Sequence, residues 1–498
     1  MNHSIVRFLT FTCFSLIMAS CGVEPAKTVD QFKAEVITPT GIFIDKGKPL
    51  NSFFARTGSE GVITEQFLAS LSPQVEGTKS ITSSQVIVDM SAGMYIGIEK
   101  TYDAIKAVLN RFSPDKSKYY HVDDNPNSIL PIDGLRSLSD ASILTNPENF
   151  KKSYSNLKPA FVEATKATDK ITIVVTDFLL DEGVKGGQRL KSGKYTKEET
   201  ANNSTWAKDY FKSWFDGGNR VIIYPFKYTA KNYYQKTENK NIYYIIFEPK
   251  GAVNPDLDNL KRDLANSGLF KSPVSLSPAD IKLNFDTESM PGECVEDYKT
   301  LEGSPNKKAL QVFSDYNAEH IPFSYPALKA AAYTDKPVSC NVSLVNNSPF
   351  KVELETKGYD ASKYYYDALL LSKTQWDGGN KPGDLVAADD LSCDIASDLS
   401  LVFKLTNKVT GVSYMSKYQG FAKLLASKIH IKNLTLNPLD ESLSWNFESK
   451  EGTMENSALK ESLHLALDEY VAGLKERAKK NTMAMQLGTV LVSIHDKK

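Results

Sequence analysis

The sequence predicts an α/β protein: a doubly wound, mostly parallel sheet, followed by a mainly β region that closes on a terminal helix. Three observations carry this expectation. Between residues 83 and 285, short apolar runs alternate with helical patterns, as a parallel sheet covered on both faces requires. After about residue 285, the runs alternate with period two and are separated by Asn and Gly turns, which marks antiparallel strands. With 498 residues, 41% of them hydrophobic and 10% aromatic, the chain is too long for one ordinary domain and rich enough for real cores.

The elements follow in order. Gln85, Val86, Ile87 and Val88 read as a buried strand that ends at Asp89, with a glycine turn at Gly93. Ile98, Tyr102, Ile105, Leu109 and Phe112 recur three or four apart, the spacing of one apolar helix face. A polar stretch with Pro114, Pro126 and Pro131 comes next. Residues 157–167 read as a helix, with Pro159 tolerated in its first turn. A second strand, 171–175, ends in Thr176-Asp177, and residues 182–200 form a loop rich in Gly and Lys. A helix over 205–215, strands over 220–226 and 242–247, and a helix over 257–266 complete the first unit. Beyond it, strands are expected at 338–345, 350–355 and 399–405. Leu459, Leu463, Leu467, Tyr470 and Leu474 define an amphipathic helix over 456–478, with Asn456 as its N-cap. Residues 483–494 read as a closing strand, and no repeat of 20–50 residues is visible.

The chain opens as an export signal. Arg7 supplies positive charge, residues 8–18 are apolar, and Ala19-Ser20 precede Cys21. Small residues before a cysteine resemble the lipobox of bacterial lipoproteins, although Met18 stands where leucine is usual. The resemblance implies removal of residues 1–20 and lipidation of Cys21. The residues that follow begin polar, with Pro25, Pro39 and Pro49 and no long periodic pattern, and 21–82 read as a tether with an N-terminal segment. Gly22 is not the acidic residue that retains proteobacterial lipoproteins at the inner membrane, so the outer membrane is the expected address. After residue 21 no apolar run approaches the roughly 20 residues a membrane-spanning helix needs. An exported chain meets oxidising conditions, so one disulfide among Cys294, Cys340 and Cys393 is expected, leaving one thiol over. Lys and Arg number 59 against 60 Asp and Glu, a balance that argues against a dedicated nucleic-acid binder.

Function is best read at the two strand ends. An open α/β sheet keeps its ligand sites outside the carboxyl ends of its strands, and there Asp89, Ser91 and Asp177 fall. A cation of the Mg²⁺ type takes oxygen ligands in a near-octahedral array, which a carboxylate and hydroxyls from separate loops supply with water. With Asp89-x-Ser91, the chain resembles a von Willebrand factor A domain, whose metal-ion-dependent adhesion site is Asp-x-Ser-x-Ser after the first strand. The third position here is Gly93, so one hydroxyl is missing. The resemblance covers residues 83–285. It implies Asp89, Ser91, Ser155 and Asp177 as the metal set, with Thr145 as the alternative to Ser155 for the second-loop hydroxyl. It further implies Mg²⁺, or Mn²⁺ or Ca²⁺, as cofactor and a protein partner offering a carboxylate. The alternatives are a metal-free scaffold component of an envelope assembly, and a hydrolase using Ser91 or Asp89.

Other motifs weigh less. Asp89-Met90-Ser91-Ala92-Gly93 lacks the first glycine of a nucleophile elbow, and no histidine stands in a catalytic context, so no enzyme activity is expected. Phosphatases with an aspartate nucleophile need a second Asp where Ser91 stands. No histidine or cysteine spacing suits zinc. Lys185, Arg189, Lys191 and Lys194 fall in the loop after Asp177 and are candidates for contact with an acidic partner. Tyr364, Tyr365, Tyr366 and Trp376 read as packing aromatics rather than a carbohydrate platform.

Overall fold

In the computed structural model, the residues described are 78–122, 128–136, 142–150, 155–180, 184–185, 188–189, 205–231, 237–270, 272–285, 309–314, 320–324, 339–360, 386–388, 391–405, 421–449 and 452–495. The expected signal peptide, Cys21 and the tether up to residue 77 lie outside them, as do Lys191, Lys194, Cys294, the Tyr364–Tyr366 run and Trp376. The last residues of the expected 21–82 segment instead join the fold, with Lys79–Ser80 paired to Ala252–Val253 and Ile81 buried.

The first part holds β1 (Lys79–Ser80), β2 (Ser83–Asp89), α1 (Tyr95–Lys100), α2 (Tyr102–Arg111), β3 (Lys118–Val122), β4 (Leu130–Pro131) and α3 (Lys158–Lys166). It continues with β5 (Lys170–Thr176), β6 (Val184–Lys185), β7 (Gln188–Arg189), α4 (Lys208–Asp216), β8 (Arg220–Lys231), β9 (Thr237–Glu248), β10 (Ala252–Val253), α5 (Pro255–Asn266) and β11 (Val274–Leu276). Seven of these strands form one sheet in the order β11-β8-β9-β5-β2-β3-β4. β2 pairs in parallel with both β3 and β5. The other neighbours, β3–β4, β5–β9, β8–β9 and β8–β11, are antiparallel. The sheet is therefore mixed, not mostly parallel. The reason lies in the connections: the link from Lys231 to Thr237 is too short for a crossover, so β8 and β9 fold back as a hairpin.

Helices cover both faces, as the alternation along the strands dictates. Val86 and Val88 point to one face, under Ile105, Val108 and Leu109 of α2 and Leu257, Leu260 and Leu264 of α5. Ile87 points to the other, under Phe161 of α3 and Phe211, Trp214 and Phe215 of α4. The helix expected from Ile98 to Phe112 is broken at Thr101, which has φ −106° and ψ 30°. The Thr101 hydroxyl donates to the Gly97 carbonyl at 2.8 Å and lies 2.7 Å from the Tyr244 hydroxyl, so the break is internally satisfied.

The second part holds β12 (Ile281–Phe285), β13 (Ala309–Ser314), β14 (His320–Ser324), β15 (Ser339–Asn346), β16 (Phe350–Asp360), β17 (Val386–Ala387), β18 (Leu391–Ile395) and β19 (Leu401–Leu405). After these come β20 (Phe421–Leu436), the hairpin β21 (Trp445–Ser449) and β22 (Gly452–Asn456), α6 (Ala458–Lys480) and β23 (Gln486–His495). They form a four-stranded sheet, β12-β15-β19-β18, and a six-stranded sheet, β14-β13-β23-β20-β16-β17. Every pairing within these two sheets is antiparallel, as the period-two texture predicts. Cys393 on β18 is reduced, and its Sγ donates to the Asp394 carbonyl at 3.7 Å.

The two parts share one core. Leu459, Leu463, Ala466 and Leu467 of α6 join the cluster that holds Phe161, Trp214 and Phe215. Polar contacts run along the same seam: Ala207 N–H donates to Ser462 Oγ at 3.3 Å, and Lys208 Nζ meets Glu469 at 2.8 Å. The terminal helix therefore covers α4 of the first part as well as packing Tyr470 on Phe350 of β16, ring centroids 6.3 Å apart. Asn456 accepts the Ala458 N–H at 3.2 Å and so caps this helix one residue ahead of its N-cap position, Ser457. Among the described residues, no helix is long and apolar enough to cross a membrane.

Candidate functional site

β2 and β5 run in parallel with Val88 opposite Val175, so Asp89 and Thr176-Asp177 emerge at the same edge of the sheet. Each element contributes through its own local bonding. Asp89 is 1% exposed; its Oδ1 accepts the Ser91 N–H at 3.0 Å, which turns the chain toward α1. Its Oδ2 accepts the Thr176 hydroxyl at 3.2 Å, the link that fastens the two strand ends together. Thr176 Oγ1 in turn accepts the Phe178 N–H at 2.9 Å, and Asp177 Oδ1 accepts the Leu179 N–H at 3.0 Å. Phe178 takes φ +61°, a left-handed conformation that is a genuine outlier for a bulky side chain. Its ring is held by packing: it stacks on Trp206 at 4.9 Å and meets Phe161 edge-on at 5.4 Å.

Ser155 arrives from the segment before α3, where Asn156 Oδ1 accepts the Lys158 N–H at 3.2 Å. Its hydroxyl is buried close enough to Asp89 to favour the charged acid, yet Oγ makes no hydrogen bond of normal geometry. A buried hydroxyl without a partner is costly and rare. Thr145, the alternative from sequence, lies elsewhere: its hydroxyl donates to the Ser142 carbonyl at 3.3 Å in an exposed turn. At Gly93, a Cβ would sit 3.8 Å from Asp177 Oδ2, an ordinary contact. Position 93 therefore borders the acidic pair, and a serine fits there.

The electrostatics are those of two acids with too little compensation. Burial raises the Asp89 carboxyl above its usual range, against the pull of the Ser91, Ser155 and Thr176 donors. Burial, then the charge of Asp89, pushes Asp177 up to about 7; the Leu179 N–H and the Lys240 ammonium act in the opposite sense. Among the described residues no three His, Cys, Asp or Glu side chains gather as a metal group. The cup instead has two carboxylates and the hydroxyls of Ser91, Ser155 and Thr176, a hard-oxygen set of the kind Mg²⁺ or Mn²⁺ takes with water. Asp89 is held by the Ser91 N–H on one oxygen and by the Thr176 hydroxyl on the other.

Asp89, Ser91, Ser155 and Asp177 are thus brought together from three separate loops. Sequence reasoning placed Thr176 beside Asp177 without its bridging role, and it did not find Lys240 or Trp445. Thr176 is a bridge between the loops, Lys240 a nearby cation, and Trp445 donates its indole N–H to the Asp177 carbonyl at 3.3 Å. Trp445 carries no one-dimensional signal, because its partner is 268 positions away.

No family model matches this chain, and no curated protein matches it. Among solved structures, the pilus adhesin SpaC from Lactobacillus rhamnosus GG, in its open conformation, overlaps 77% of this chain and 71% of its own, at 8% identity and a TM-score of 0.14. At that score the overlap carries nothing about fold or activity.

Proposed function

We propose that this chain is a lipid-anchored envelope protein with a von Willebrand A-like domain, and that its acidic cup holds a divalent cation through which it binds a carboxylate of a protein partner. The observation that carries the reading is the buried Ser155 hydroxyl, without a hydrogen bond of normal geometry, beside a buried pair of acids that is only partly compensated. A cation would engage that hydroxyl and offset both charges at once. Asp89 would be the main anionic ligand, Ser91 and Ser155 the hydroxyl ligands, and Asp177 the second or water-mediated carboxylate. The two Asp89 oxygens already accept one bond each, which leaves lone pairs for a metal. When bound, the ion supplies an electrophilic position for an incoming carboxylate. The chain's own residues orient that position and exclude water from its base.

Calorimetric titration of the purified chain with Mg²⁺ and Mn²⁺ tests this. Binding is expected in the wild type and absent in Asp89→Ala. Gly93→Ser, which restores the third hydroxyl, is expected to tighten binding about tenfold, or roughly 1.4 kcal/mol. No uptake by the wild type at millimolar cation would overturn the reading. A second reading has one observation in its favour: the half-buried Lys240 acts on Asp177 by its charge, which suits a metal-free scaffold whose own side chain offsets part of the acidic pair. Lys240→Met separates the two, since loss of the ammonium strengthens cation uptake in the first and unfolds the loop in the second.

The lipid anchor is part of the proposal and rests on Cys21. A single acyl chain binds membranes only marginally, so stable anchoring needs the several chains a lipobox cysteine carries. Cys21→Ser is expected to move the protein from the membrane pellet to the soluble fraction; retention in the pellet would refute the anchor.

A further inference from the structure

We infer that Trp445 is a positioning residue for Asp177, so that the C-terminal hairpin forms a wall of the acidic cup and its order is coupled to cation binding there. This rests on the metal reading above and goes beyond it, because it gives the second half of the chain a part in the site.

The Asp177 peptide sits at a turn that local chemistry does not favour, since the next residue is a phenylalanine at φ +61°. Something outside the loop must fix it. On one side the Phe178 ring is packed between Phe161 and Trp206. On the other, the Asp177 carbonyl accepts the indole N–H of Trp445, itself 5% exposed. The strand that carries Trp445 is tied down at the same place. Asn241 of β9 donates through Nδ2 to the Ser442 carbonyl at 2.8 Å and to the Ser444 carbonyl at 3.3 Å. The same amide donates to the Tyr243 hydroxyl at 3.2 Å, and Tyr243 is the register partner of Thr176. Thr176, Tyr243, Asn241, Ser444, Trp445 and Asp177 therefore close a ring of contacts that joins the cup to β21. The side chains of Asn241 and Trp445 are buried, so water does not compete for these bonds.

The consequence is reciprocal. If the hairpin sets the orientation of Asp177, then a cation held by Asp177 must steady the hairpin by the same factor. A partner that grips the second half can in this way tune the cup, and a partner at the cup can report to the second half.

The experiment uses the full chain, with Mn²⁺ as probe. Trp445→Phe keeps an aromatic ring and removes the N–H. It is expected to weaken Mn²⁺ binding about fivefold or more in calorimetry, a coupling of ordinary size, in a variant that still unfolds cooperatively in chelator with only the lower midpoint that an unpaired Asp177 carbonyl brings. Independently of any variant at 445, amide exchange across residues 441–456 is expected to slow on Mn²⁺ addition in the wild type and not in Asp89→Ala. A wild type that binds Mn²⁺ while Trp445→Phe binds it equally well, with hairpin exchange unchanged, overturns the coupling and leaves the metal site standing. A wild type that takes up no Mn²⁺ overturns the metal reading, and the coupling with it.

Discussion

Phe161→Ala is expected to cost about 3–5 kcal/mol, the range for truncating a buried phenylalanine. Phe161 is fully buried, at 0% exposure, at the centre of an aromatic cluster. Its ring meets Trp206 at 5.0 Å, Phe178 at 5.4 Å, Phe211 at 5.5 Å and Phe247 at 5.7 Å, all near perpendicular, an arrangement worth more than the area it buries. A cavity left there cannot collapse cheaply, because its walls belong to α3, α4, β9 and the loop after β5. A domain commonly has only about 5–15 kcal/mol in total, so this variant loses a large share of its stability. Guanidinium unfolding reads the change as a lower midpoint. By contrast Leu465→Ala, at an exposed position on α6, should change stability by no more than about 0.5 kcal/mol. A loss below about 1 kcal/mol at Phe161 would mean that the cluster does not hold α3 and α4 to the sheet. Since Phe178 rests on the same ring, the variant should also loosen the turn that carries Asp177.

What the sequence shows of this fold follows from which patterns are local. Val86, Ile87 and Val88 announce a strand buried on both faces, and the helices at 158–166 and 208–216 show their stripes within ten residues. Strand direction is not local. The hairpin of β8 and β9 reads as two separate strands because β8 extends past Phe226, where Lys227, Thr229 and Lys231 are exposed and only Tyr228 and Ala230 are buried. That overhang is covered on one face, so the apolar run stops while the strand goes on. β3, with the sequence KYYHV, is hidden in a stretch that its prolines mark as loop, and β20 carries polar residues through much of its length. The cup was legible as far as Asp89, Ser91, Ser155 and Asp177, because the ends of β2 and β5 obey a general rule of parallel neighbours. Trp445, Asn241 and Lys240 were not, since each acts through a contact that exists only once distant parts of the chain have packed.

In the absence of divalent cations, the wild type is expected to lose stability as pH rises from about 4 to about 7, relative to Asp177→Asn. The direction follows from proton linkage. Asp177 stands at about 7 in the folded chain, raised from 3.8 by burial and then by the charge of Asp89. Between those two values the folded state binds more protons than the unfolded state, so the unfolding free energy falls with increasing pH. Asp89 is raised as well and acts in the same sense. The amide of the Asp177→Asn variant has no proton to lose. Variant and wild type should therefore lie close together near pH 4, and the variant should be the more stable by at least about 1 kcal/mol at pH 8. Saturating Mg²⁺ or Mn²⁺ should shrink or reverse the gap, because a cation binds the deprotonated pair and stabilises the folded state by mass action. Cation affinity should accordingly rise through neutral pH. Thermal unfolding of both proteins in chelator and in excess cation, at pH 4, 6 and 8, reads all three effects. Parallel pH profiles in chelator would mean that the two acids are not held against one another in a dry cup, and the physical reason for a cation there would be gone.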